Sequence, residues 1–133
     1  MKKIDKEKIM KILVTGGAGF IGSHLVKKIV NEGHKVTVID NLERGTLDNL
    51  PIHKIKVFNR DLRDYKACKT IFKRQDIVIH LASKVGGIGT YLSKPYEILS
   101  SNMEIDSNVL KLVLENKIKK YFYASSAHVY PKE

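Results

Sequence analysis

Strands that alternate with helices, a glycine-punctuated passage from the first strand into the first helix, and a later strand of continuously apolar character predict one fold class. It is a doubly wound parallel α/β sheet in the order 3-2-1-4-5, with right-handed crossovers. In that order the carboxyl ends of strands one and four adjoin at the topological switch point, where ligands bind.

Each element has its own warrant. Ile12, Leu13 and Val14 form a short β-branched and apolar run, predicting a strand over 11–15. Phe20, Ile21, Leu25, Val26 and Ile29 recur with helical spacing, predicting a helix over 20–32 that closes at Gly33, a suitable C-cap. A second apolar run predicts a strand over 35–40, ending in Asp40, and a loop over 41–51 contains Arg44 and Gly45. A short third strand is expected over 55–58, and a helix near 65–73. The fourth strand, 76–80, reads as a parallel strand covered on both faces. It opens into Leu81, Ala82 and Ser83 and then a glycine-rich loop over 86–89. A long helix over 95–116 places Ile98, Ile105, Val109, Leu112 and Val113 on one face, and a fifth strand over 120–124 leads to Ser125 and Ser126. Residues 1–10 form a charged lead and 11–133 one domain, with no internal repeat or interdomain linker.

The glycines at the first turn carry the chemistry. Gly16 lets the chain turn off the strand, Gly19 admits a pyrophosphate close to the backbone, and Gly22 allows close packing of the helix. The free N–H groups and positive dipole end of that helix then face the phosphates, which reads as a dinucleotide cradle. Asp40 stands at the distance expected for the carboxylate that accepts hydrogen bonds from an adenine ribose. A 2′-phosphate would be repelled there, which favours NAD over NADP. Arg44 pulls the other way, since a nearby arginine can accommodate that phosphate.

The spacing Gly16, Gly19, Gly22 is G-x-x-G-x-x-G. With its flanking string from Thr15 to Leu25 it closely resembles the extended short-chain dehydrogenase/reductase family, the NAD-dependent nucleotide-sugar epimerases and dehydratases. The resemblance runs over about residues 11–131. It implies a cofactor set made of Gly16, Gly19, Phe20, Ile21, Gly22, Asp40 and Asn41, with Asp61 and Leu62 at the adenine and Leu81, Ala82 and Ser83 passing close to the cofactor. Read alone, Asp61 is equally a helix N-cap. The loop containing Gly86 and Gly87 is similar to the substrate loop of GDP-sugar epimerases, which implies a GDP-linked nucleotide sugar; otherwise it is a mobile surface loop. Asn102 matches a family asparagine near the substrate, or simply satisfies backbone groups. The block from Tyr123 to Pro131 resembles the family's Ser-Ser-x-x-x-Tyr. By that resemblance Ser126 hydrogen-bonds the sugar oxygen being oxidised, and His128 stands where GDP-sugar epimerases carry a proton-transferring cysteine. Without it, Ser126 is a turn residue and His128 an exposed loop histidine.

The family's base, a Tyr-x-x-x-Lys pair, belongs on the helix after that serine block, and the sequence does not reach it. The match from Tyr65 to Lys69 lies between strands three and four and reads as coincidence. The expectation is therefore an N-terminal portion, truncated after the fifth strand, that is inactive alone, as a fragment with a complementing C-terminal chain or as a non-catalytic dinucleotide-binding module. An unpaired face of the fifth strand favours association, including a homodimer.

Composition bounds the rest. At 133 residues, 43% hydrophobic and 29% charged, the chain has the make-up of an ordinary globular domain. No apolar run spans a bilayer, and nothing resembles a secretory signal. Cys68 is the only cysteine, so no internal disulfide forms and a reducing cytoplasm is the expected setting. The net charge of +10 raises nucleic-acid binding. Dispersed lysines without interleaved aromatics weigh against it. His24, His34, His53, His80 and His128 show no metal-ligand spacing.

Overall fold

The computed structural model describes residues 9–126 and 130–131. Five parallel strands form one sheet in the order β3-β2-β1-β4-β5: β1 (Lys11–Thr15), β2 (Lys35–Asp40), β3 (Lys56–Asn59), β4 (Ile77–His80) and β5 (Lys120–Tyr123). This is the predicted order. The central strand β1 pairs with β2 from Lys11↔Lys35 to Thr15↔Ile39, and with β4 from Ile12↔Ile77 to Thr15↔His80.

Alternation along the strands builds two cores, one on each face of the sheet. Ile12, Val14, Val36 and Val38 point to one side and pack with Val26 and Ile29 of α1 (Phe20–Asn31). Leu13, Ile39 and Val78 point to the other and pack with Phe72 and with Val109 and Leu112 of the long helix that precedes β5. Both faces are covered, as the near-continuous apolar runs require.

Two segments differ from expectation. The helix expected near 65–73 is a single turn, α2 (Tyr65–Cys68), after which Ile71 and Lys73 donate to carbonyls only three residues back and the chain tightens. Ile71 and Phe72 are both buried in this tightened stretch and pack against the sheet face that carries Leu13, Ile39 and Val78. The glycine-rich stretch expected as a loop starts a short helix, α3 (Ile88–Ser93), ahead of α4 (Pro95–Glu115). Its glycines hid it, because glycine disfavours helix interiors but is acceptable at the ends. β3 is shifted by one residue from its expected start and finish.

Cys68 is fully buried beside Asp61, and burial pushes its thiol up to about 11. The folded chain is therefore expected to resist an aromatic disulfide reagent at about pH 8, reacting only as fast as it unfolds, because thiolate is the nucleophile. Equal labelling rates in buffer and in urea would contradict this. No helix among the described residues is long and apolar enough to cross a membrane.

Candidate dinucleotide site

A cleft of about 470 Å³ opens at the carboxyl ends of β1, β2 and β4. That is the predicted switch point. Its floor is the turn from β1 into α1. Gly16 has φ +69, and a Cβ there would lie 2.8 Å from the backbone of Ala82. A Cβ on Gly22 would lie 2.2 Å from the Gly16 carbonyl oxygen and 2.7 Å from the Gly17 Cα. Gly22 thus allows α1 to seat closely against its own turn. Gly19 is the N-cap of α1 and supplies no side chain to the helix's first N–H groups. These donors are left for a ligand.

Asp40 is buried at the end of β2. One of its oxygens accepts the Ala18 N–H at 2.9 Å and the other the Leu42 N–H at 2.9 Å, so the carboxylate both fastens the turn and keeps acceptor capacity toward the cleft it lines. Asn41 accepts from the Glu43 N–H and shapes the next loop. That loop is tied to the turn by the Thr46 N–H on the Ala18 carbonyl, with Gly45 against Ala18.

Much of the expected set lies on the rim of this cleft. Phe20 and Ile21 stand largely exposed in the first turn of α1 and form an apolar wall. Asp61 and Leu62 lie across the cleft, as do Leu81, Ala82 and Ser83. Asp61 caps no helix; Asp64 does so for α2. Asp61 instead receives the Arg63 guanidinium, at 2.6 Å from Nη2, which holds its carboxyl below the usual carboxylate range. Arg60 and Arg63 also line the cleft, and nothing in their local sequence pattern marks them; Lys84 and Val85, which lead into the glycine-rich loop, and Ala124, at the start of the serine block, line it as well. In the sequence Arg44 stands out only for its charge. Arg44 donates to the Val85 carbonyl at 3.2 Å and bridges the β2 and β4 loops over the cleft.

The proposed substrate residues fall differently. Gly86 and Gly87 sit beyond Val85, outside the cleft lining, and a Cβ on Gly86 would strike Thr90 of α3. Asn102 is committed to backbone: its carbonyl oxygen accepts the Lys84 N–H at 2.6 Å and its amide donates to the Lys84 carbonyl at 3.0 Å. Its oxygen also accepts from the Ser83 hydroxyl. Replacing Asn102 by leucine strands those groups and should cost about 1–3 kcal/mol. The check is the urea midpoint together with amide exchange at Lys84; unchanged exchange would contradict it. Ser126 follows Ala124 at the cleft edge, and His128 lies outside the described residues. Tyr65 is occupied by Glu115, and neither it nor Lys69 lines the cleft.

Beneath the cleft runs a polar chain that the sequence did not reveal. Thr15 Oγ1 accepts the N–H groups of Leu81 and Ala82 at 3.2 and 3.3 Å, so its hydrogen goes to His80 Nδ1 at 2.6 Å. The ring proton is then on Nε2 and donates to Asp106 Oδ1 at 3.0 Å, while Asp106 Oδ2 accepts from Tyr123. His80 is 1% exposed, and burial lowers its pKa against the opposing pull of Asp106. A neutral imidazole thereby fixes the strand ends that shape the floor.

A parallel sheet of order 3-2-1-4-5 with a glycine turn, uncapped helix N–H groups and a strand-end acid at its switch point defines a Rossmann-type dinucleotide-binding domain. The model of the NAD dependent epimerase/dehydratase family matches residues 12–133, and the chain belongs to that family. It is 35% identical over 129 residues to a UDP-N-acetyl-alpha-D-glucosaminuronate decarboxylase of Bacillus cytotoxicus, covering 92% of this chain and 38% of that protein. It is 33% identical to GDP-mannose 3,5-epimerase 1 of Oryza sativa subsp. indica, covering 92% of this chain and 32% of that enzyme. Among solved structures, UDP-glucose 4-epimerase of Thermus thermophilus in complex with NAD superposes with a TM-score of 0.81 at 34% identity, covering 88% of this chain and 38% of that one. The chain thus spans about a third of the length of these relatives, from 32% to 38%, and corresponds to their N-terminal portion.

Proposed function

We propose that residues 11–133 are the NAD-holding portion of a nucleotide-sugar epimerase or dehydratase, with residues 1–10 a lead outside the domain. The observation that carries this reading is the turn from β1 into α1, where a Cβ on Gly16 or Gly22 would collide with backbone and the helix N-terminus is left uncapped beside Asp40. The pyrophosphate would lie on the first-turn N–H groups of α1 and the adenine ribose on Asp40, with Asp61, Leu62 and Arg63 toward the adenine. Leu81, Ala82 and Ser83 would line the nicotinamide half. Bound NAD supplies a hydride acceptor for a sugar carbon.

Ser126, just past the cleft edge, would hydrogen-bond the hydroxyl oxygen on the sugar carbon being oxidised and hold that carbon toward the cofactor. His128 would serve as a proton donor or acceptor in the same block. The base that deprotonates the sugar hydroxyl, by family resemblance a Tyr-x-x-x-Lys pair, would come from sequence corresponding to the relatives beyond the matched region, on the same polypeptide or a complementing one. The open edge of β5 and its exposed Phe122 and Tyr123 support pairing with such sequence or with a second copy. The substrate would be a nucleotide sugar. The resemblance of the Gly86–Gly87 loop favours a GDP-linked one, whereas solved relatives carry UDP-linked names. A cytoplasmic setting suits the reduced Cys68.

Incubating the 133-residue chain with NAD and either UDP-glucose or GDP-mannose tests the division of labour. NAD should bind, neither sugar should be converted, and the sugar of the true nucleotide class should protect Ser126-side amides from exchange. Turnover by these residues alone would overturn the assignment of the base to other sequence.

A further inference from the structure

The opposite edge of the sheet holds a second concavity, of about 670 Å³, that the dinucleotide reading does not use. Lys11, Lys35 and Lys56 begin β1, β2 and β3, with Lys11 and Lys35 directly paired in register. Neighbouring strands lie only about 4.8 Å apart. Lys54 joins them from the turn before β3, and Lys73 and Arg74 from the turn before β4. His34 and His53 complete the basic lining, which contains no carboxylate. Asp76, next in sequence, is engaged by the Lys11 N–H and by Lys119. The ion pairs among the described residues use other cations: Arg63, His80, Lys84, Lys94 and Lys119.

Two further observations mark this place. Gln75, which lines it, donates its amide to the Ile71 carbonyl and Thr37 Oγ1 but keeps its side-chain carbonyl oxygen buried with no hydrogen-bond partner. A buried acceptor of that kind is costly and calls for a donor. Arg74 has φ +61, a left-handed conformation that costs a non-glycine residue on the order of 1 kcal/mol. Like charges, an unmet acceptor and local strain coincide at one concave spot. The cofactor cleft differs, since its cations Arg44, Arg60, Arg63 and Lys84 are interleaved with Asp40, Glu43 and Asp61.

We infer that this groove at the amino-terminal edge of the sheet is a binding site for a compact ligand with clustered phosphate groups. Phosphates neutralise the strand-start lysines, and Arg74 offers the fork geometry that suits phosphate oxygens. The volume falls in the range of small-molecule sites, and the lining has no ring besides the two imidazoles on which bases could stack. A small ligand is therefore favoured over single-stranded nucleic acid. The site is separate from the cofactor cleft and does not depend on the function proposed there.

The test is amide chemical-shift mapping on the full chain, titrated in turn with inorganic tripolyphosphate, a sugar bisphosphate and a single-stranded DNA oligomer. Both small ligands should move the amides of Lys11, Lys35, Lys56 and Gln75. Lys35→Gln with Lys56→Gln should weaken them at least tenfold, whereas Lys27→Gln with Lys28→Gln on the exposed face of α1 should change them less than about twofold. Tighter binding of the bisphosphate assigns a hydroxylated ester; tighter binding of tripolyphosphate assigns a free polyphosphate. Shifts confined to residues 16–22, equal losses in the two double variants, or DNA binding more tightly than either small ligand would overturn the inference.

Discussion

Gly22→Ala is expected to cost the chain at least about 3 kcal/mol and to abolish measurable NAD binding, although alanine is the better helix former by about 1 kcal/mol. Helix propensity and packing oppose one another here. The new Cβ would lie 2.2 Å from the Gly16 carbonyl oxygen, and the atoms it meets are backbone that cannot swing aside. To relieve the overlap, α1 must shift off its turn, carrying away the N–H groups that face the cleft. Gly33 is the control. It has φ +89 but open space around it, so Gly33→Ala should cost only the roughly 1–2 kcal/mol of the left-handed backbone and leave NAD affinity unchanged. Thermal or urea unfolding of both variants, with NAD titration, checks the pair. Equal costs would show that steric closure at Gly22 is not what holds the turn.

His80→Leu should remove about 2–3 kcal/mol and, more tellingly, flatten the acid limb of the stability profile. In the unfolded chain the imidazole protonates near 6.5, whereas in the folded chain burial lowers that value. Between the two, the unfolded state holds more protons, so stability rises with pH. The contribution is whole above about pH 6.5 and is lost as the pH falls below it, by at most about 1.4 kcal/mol per pH unit for one proton. Protonation on Nδ1 would also expel the Thr15 hydroxyl hydrogen and loosen its hold on Leu81 and Ala82. Asp106 on α4 and Tyr121 and Tyr123 on β5 are the titratable groups that face the ring. Urea midpoints from about pH 5 to 8 should converge for wild type and His80→Leu at the acid end. Parallel profiles would contradict a buried neutral histidine.

The five strands, each to within a residue at either end, and the long helix were legible because apolar periodicity reports burial directly, and the sheet order follows from their alternation with helices. The glycine turn and Asp40 were legible because their chemistry is local in sequence, within 25 residues of one another. What could not be read was contact between distant segments. The Thr15–His80–Asp106–Tyr123 chain joins four elements, and a lone histidine in an apolar strand carries no sign of its partners. The cations Arg60 and Arg63, and the Arg44 bridge to Val85, likewise depend on where loops fold back. Asn102 shows the converse: a residue matched by resemblance to a substrate role is engaged by the Lys84 backbone. α3 was concealed by its own glycines.

The most direct measurement is a calorimetric titration of the 133-residue chain with NAD and with NADP, repeated on Asp40→Asn. With the ribose on Asp40, NAD should bind at one site and NADP at least tenfold more weakly, because a 2′-phosphate would face a buried carboxylate. Asp40→Asn should narrow that gap by weakening NAD and relieving NADP. No heat with NAD, or equal affinity for the two dinucleotides in the wild-type chain, would contradict the assignment of this turn and its acid to NAD.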